Sequence, residues 1–166
     1  MKRIFSLLAA LALFDAPASL KGAETLGQLV AAKGFEWMIG NWADKASDGQ
    51  AIKLTYEWRL DKHAVAVKLE SPERKSEGFM ARNPKSGDVG YVAVDNRGGG
   101  ALGKVTADED KLVLKVNYQR SNGESGRLGV VHEKKDDDTM KVTLHKVEED
   151  GALGEATEAI ELKRVK

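Results

Sequence analysis

The sequence predicts an all-β protein: a single antiparallel up-and-down β-barrel of about 8–10 strands preceded by one short helix. Three observations carry that expectation. From residue 50 to the end, apolar and polar residues alternate with a period of two, as they do in strands that bury one face. Short stretches rich in Asn, Asp, Gly and Pro interrupt the alternation, so consecutive strands must be antiparallel hairpin neighbours. No helical pattern follows residue 34 to cover a second sheet face, and a meander of this kind either closes into a barrel or folds into a sandwich. Sandwiches call for longer crossing connections, which favours the barrel.

Length and composition agree with one domain. The chain has 166 residues, 42% apolar and 31% charged, with 17 Gly, 3 Pro and no Cys, which excludes collagen, wholesale disorder and a multi-pass membrane protein. Lys2 and Arg3 precede an apolar run at residues 4–14 broken only by Ser6, and Ala16-Pro17-Ala18 supplies small residues at signal-peptidase spacing. The run is too short for a permanent membrane anchor. A signal peptide over residues 1–18 is therefore expected, with cleavage after Ala18 or as late as residue 23, and export to a periplasm or beyond. Without cysteine there is neither a lipoprotein site nor a disulfide, so stability must come from a core. Losing residues 1–18 removes Lys2, Arg3 and Asp15 and leaves acidic side chains one ahead of basic ones. No bulk field then recruits nucleic acid or an anionic membrane.

A short helix is expected over residues 24–34. Thr25 with Gln28 spells a capping box, Leu26, Leu29 and Val30 share a face, and Lys33-Gly34 is a stop signal. A strand follows around residues 40–43. In residues 51–60, Ile52, Leu54, Tyr56, Trp58 and Leu60 alternate with Lys53, Thr55, Glu57 and Arg59. Asp61-Lys62 reads as a two-residue turn, and the next strand sets His63, Val65, Val67 and Leu69 against Ala64, Ala66, Lys68 and Glu70. Further strands are expected at residues 77–82, 88–95, 101–107, 111–119, 126–134, 139–147 and 156–165, each bounded by turn residues such as Asn83-Pro84, Asn122-Gly123 and Asp150-Gly151.

The segment Trp37-Met38-Ile39-Gly40-Asn41-Trp42, between helix and first hairpin, resembles the Gly-x-Trp signature of the calycin superfamily of lipocalins and fatty-acid-binding proteins. It is similar above all to small exported or cytosolic bacterial lipocalin-like barrels. The resemblance spans residues 35–165 in topology and rests on Gly40, Trp42 and Arg164. It implies that Trp42 packs at the closed end beneath a basic residue of the last strand. Arg164 shares a parity with Ile160 and Leu162 and suits that place, where a cation over an indole contributes about 1–2 kcal/mol. The Thr-Asp-Tyr signature and the disulfide of many secreted members are missing.

Candidate site residues are those sharing a parity with the apolar rows. His63 belongs with Val65 and Val67, and His132 with Leu128 and Val130. Imidazoles entering an apolar cavity bind metals, haem iron or polar ligand groups, although a strand-end histidine such as His63 more often lies at a rim. His145 has the outward parity. Tyr56, Trp58, Tyr91 and Tyr118 lie on inward rows, where aromatics line a pocket or fill a core. Gly98-x-Gly100-x-x-Gly103 has the spelling of a dinucleotide loop but is followed by a strand rather than a helix, so it reads as a hairpin at a barrel mouth. Asp136-Asp137-Asp138 lacks the ligand spacing of a calcium loop, and neither a Gly-x-Ser-x-Gly setting nor a thiol is present. The expectation is a non-catalytic barrel holding a small apolar or amphipathic molecule, with no required cofactor or metal. The alternatives are a haem, metal or enzymatic barrel using His132 with or without His63, and a filled barrel acting on a protein partner through its outer surface.

Overall fold

The computed structural model describes residues 24–165. The expected signal peptide lies outside the described residues. Helix α1 (Leu26–Ala32) opens on a reciprocal capping box: Gln28 N donates to Thr25 Oγ1 at 3.1 Å and Thr25 N donates to Gln28 Oε1 at 2.8 Å. Lys33 caps its other end, and Gly34 takes the left-handed conformation that stops it. Seven residues cannot hold a helix in isolation. Burial of Leu26 and a hydrogen bond from Gly27 N to Lys62 O, 2.9 Å long, fasten α1 to the barrel.

Ten strands follow: β1 (Gly40–Asp44), β2 (Lys53–Arg59), β3 (Ala64–Glu70), β4 (Lys75–Arg82), β5 (Val89–Asp95), β6 (Gly100–Asp108), β7 (Lys111–Gln119), β8 (Ser125–Lys134), β9 (Thr139–Val147) and β10 (Leu153–Val165). Each pairs antiparallel with its chain neighbour, and β1 pairs with β10, so the sheet is a closed barrel without an edge. Inward rows form one core running from Trp42, Leu54 and Tyr56 to Met140, Val142 and Leu162. Alternating hairpins define two ends. The α1 end carries the turns β2–β3, β4–β5, β6–β7 and β8–β9, and the far end carries the others.

The α1 end is locked by Arg164. Its guanidinium lies 4.3 Å from the Trp42 ring centroid, and it donates to Ile39 O (2.9 Å), Trp37 O (2.6 Å) and Asp137 O (3.2 Å). Trp42 in turn donates from Nε1 to Met38 O at 2.9 Å, so carbonyls of the single-turn helix at Glu36–Met38 are taken up by the two signature side chains. Gly40 has φ +135°, and a Cβ there would stand 2.6 Å from Arg164 Nη1, which leaves glycine as the residue that fits.

Three details differ from the sequence reading. The β2–β3 connection is wider than Asp61-Lys62: Leu60, Asp61 and Lys62 all have positive φ, and His63 N donates back to Leu60 O at 3.0 Å. That left-handed run breaks the pleat, so Leu60 is 76% exposed and His63 lies in the exposed turn instead of heading the inward row of β3. Strands β4 and β10 begin earlier than expected, β10 through irregular register between Leu153 and Glu158. The outer face is not uniformly polar: Phe79, Val92 and Leu102 stand side by side in register across β4, β5 and β6 and are exposed.

Replacing Arg164 by Met removes the cation and three charge-assisted hydrogen bonds while keeping bulk. The expected loss is about 2–4 kcal/mol of unfolding free energy by urea titration, with Arg164→Lys recovering part of it.

Candidate functional site

At the end remote from α1 the barrel holds a cavity of about 410 Å³. Its wall is apolar, built by inward residues such as Leu69, Leu114, Val130 and Leu144, because each of these strands keeps its alternation to the far end. Tyr91, Tyr118, Ser76, Arg74, Arg120 and Asp95 add hydrogen-bonding groups. The cavity lies toward β4, β5 and β6 because their inward rows carry small residues there, Ser76, Ala93 and Ala101.

The polar groups at the mouth are held in place. Arg74 Nη2 donates to Asp95 Oδ2 at 2.5 Å, and the other Asp95 oxygen accepts from Arg97 N (2.8 Å) and Gly99 N (2.9 Å). The Gly99 backbone bond first, then Arg97 and Arg74, hold the Asp95 carboxyl below the usual carboxylate range against the opposing effect of desolvation. Arg120 donates to Glu124 at 2.8 Å and sits 5.7 Å from the Tyr118 ring centroid. Burial pushes the Tyr91 hydroxyl above its ordinary range. Two arginines at the rim, each paired with one carboxylate, thus border a mostly apolar hollow to which Tyr91, Tyr118 and Ser76 add hydroxyls.

Beneath the cavity Tyr56 of β2 meets His132 of β8 across the barrel. The hydroxyl is 2.6 Å from Nε2 and the rings make an edge contact at 78°. His132 is 1% exposed, and its Nδ1 makes no hydrogen bond of good geometry, the nearby Leu112 backbone being only a strained approach. Burial pushes the imidazole down to about 4, with the Leu112 backbone acting weakly the other way, and pushes the Tyr56 hydroxyl upward. Both groups are therefore neutral at pH 7. Counting hydrogen bonds fixes the tautomer: a Tyr56 O–H donating to Nε2 leaves only Nδ1–H unsatisfied, whereas the reverse would orphan the phenol proton as well.

The sequence candidates divide accordingly. Tyr91 and Tyr118 line the cavity. Tyr56 and His132 form the buried pair below it and line neither this cavity nor the hollow under α1. Trp58 lies toward the α1 end with the Lys62 amine 6.0 Å from its ring centroid, and His63 stands apart in the exposed turn. The outward His145 hydrogen-bonds Gly154 O at 3.0 Å. Gly98 and Gly100 belong to the β5–β6 hairpin at the mouth, and Gly103 lies within β6. Among the described residues no group of three or more His, Asp or Glu gathers as a metal-ligand set. Sequence reasoning missed Arg74, Asp95 and Arg120. Asp95 was within reach, because it continues the inward parity of Tyr91 and Ala93.

Fold and site together define a closed ten-stranded antiparallel barrel with an interior cavity open at one end. Comparison with protein-family models and with curated proteins gives no match to this chain.

Because unfolded histidine takes up its proton near pH 6.5 and folded His132 only near 4, stability is fully present above pH 6.5 and is lost as pH falls toward 4. Between pH 7 and pH 4 the wild type is expected to lose about 3 kcal/mol more unfolding free energy than His132→Leu, measured by urea titration at each pH.

Proposed function

We propose that this protein is an exported, non-catalytic lipocalin-like barrel that holds a small apolar or amphipathic molecule in the cavity at its far end. The observation that carries this reading is the cavity itself: about 410 Å³, walled by carbon and edged by a few oriented polar groups. That composition and size are those of small-molecule sites, in which the apolar wall supplies affinity and the few polar groups supply orientation. The ligand's apolar body lies against Leu114, Val130 and Leu144, and its polar end faces Arg74, Arg120 and Tyr118. Binding asks for less than catalysis, since the one buried imidazole has its Nε2 committed to Tyr56 and stands outside the cavity lining. Gly40, Trp42 and Arg164, arranged as the calycin resemblance implies, support the lipocalin-like assignment.

A second reading, haem or another metal centre held through His132, is favoured by one observation, the unpartnered Nδ1. It requires the layer around Tyr56 to open.

Titration with a fluorescent amphipathic anion, 1-anilinonaphthalene-8-sulfonate, is expected to give saturable single-site binding that Val130→Trp weakens at least tenfold by filling the cavity. Arg120→Ala is expected to weaken this anion more than the neutral dye Nile red. Absence of saturation for both dyes refutes the binding reading, and Soret absorbance on haem addition that vanishes in His132→Ala establishes the second one. For export, the mass of the protein recovered outside the cytoplasm is expected to correspond to a chain starting at residue 19 or 24.

A further inference from the structure

The barrel interior contains a second hollow. It lies at the α1 end, measures about 370 Å³, and shares no lining residue with the first cavity. The same strands supply both, one step of the inward row apart: β5 gives Val89 to one and Tyr91 to the other, and β7 gives Leu112 and Leu114. Between the two levels stands the fully buried Tyr56–His132 pair.

We propose that this hollow is an independent binding site for a compact, uncharged apolar molecule, with α1 as one wall. Three observations point to that ligand class. The first is the lining: Leu26, Leu29 and Val30 from the apolar face of α1 oppose Met80, Val105 and Leu112 of the barrel. The second is the placement of charge. Asp88 and Lys104 bond to each other at 3.4 Å and are exposed, and Lys33 is exposed at the helix end, so the charged groups of this hollow stand at its rim and its depth is carbon. A charged or strongly polar ligand would lose its hydration there without replacement. The third is size, which falls in the lower part of the range of small-molecule sites, so the hollow suits a compact molecule. Helix α1 can also adjust to an occupant. It is short and is tied at its start by the Gly27–Lys62 backbone bond and by Glu24 with Arg82, 3.3 Å apart.

The methionines report on the site. Met38 and Met80 line it, whereas Met140 is buried in the core elsewhere. Titrating p-xylene into the purified protein carrying ¹³C-methyl methionine is expected to shift Met38 and Met80 saturably and Met140 little, and to slow hydrogen exchange of the α1 amides. The shifts should survive Val130→Trp, which fills only the far cavity, and disappear in Leu29→Trp. Absence of saturable shifts at Met38 and Met80 in the wild type overturns the proposal. Their loss in Val130→Trp also overturns it, because the interior would then be one continuous site. Should Leu29→Trp fail to fold, the wild-type and Val130→Trp titrations still decide. Failure here leaves the far cavity untouched, since that is read by the dye titration.

Discussion

Everything in this molecule depends on closing the ring between its first and last strands. β1 is only five residues long and pairs with β10 through four positions, Asn41 to Asp44 against Val165 to Leu162. That is the shortest seam in a barrel whose other pairings run longer, apart from the equally short one between β1 and β2. Were it to part, two strand edges would be exposed and the apolar lining would meet water. Arg164 offsets the weakness from within β10, reaching the Trp37 and Ile39 carbonyls on either side of Met38 and covering the Trp42 indole. The main-chain turn at Glu36–Met38 is thus fixed by side chains, and Gly40 is kept small by the guanidinium it must let past.

Closure with ten strands, rather than eight, has a geometric consequence. An eight-stranded barrel is just wide enough for its inward side chains to fill, and each added strand widens the ring faster than one more row of side chains fills it. Here the inward rows do not compensate: β4, β5 and β6 carry Ser76, Gly78, Ala93, Ala101 and Gly103. At Gly78 and Gly103 an added Cβ would collide with backbone of the neighbouring strand, so no larger side chain can fill the interior there. Tyr56 and His132, reaching toward each other from β2 and β8, fill the middle. What remains empty lies above and below them.

Much of this was legible in the sequence. Strand periodicity and turn residues are local signals, and the ten strands, the capped helix and the Arg164 parity follow from them. The failures have physical causes. Nothing in Leu60-Asp61-Lys62 announces three left-handed residues in a row, because none is glycine or asparagine, and with that turn His63 leaves the inward row of β3 for the exposed rim, where a strand-end histidine more often lies. Arg74 sits in a turn, where alternation carries no information about which way a side chain faces. The meeting of Tyr56 with His132 joins positions 76 residues apart, and parity could place each inside without revealing the contact. Residues 89–94, apolar on both parities, carried a readable hint of the exposed outer stripe at Val92 and Val94.

The Tyr56–His132 layer gives the interior its chemistry. A leucine at position 132 would fill similar space without leaving an orphaned nitrogen, so the pair costs stability that a wholly apolar layer would not. In exchange, its single directional bond fixes two rings in one arrangement across the barrel, where aliphatic side chains could repack toward either hollow. The two hollows differ by what surrounds them: the far one meets the arginines of the mouth, and the near one meets the apolar face of α1, with Lys33 and the Asp88–Lys104 pair at its rim. The buried pair, together with the aliphatic core around it, thus stands in a barrel whose two hollows share no lining residue and differ in the polar groups at their rims.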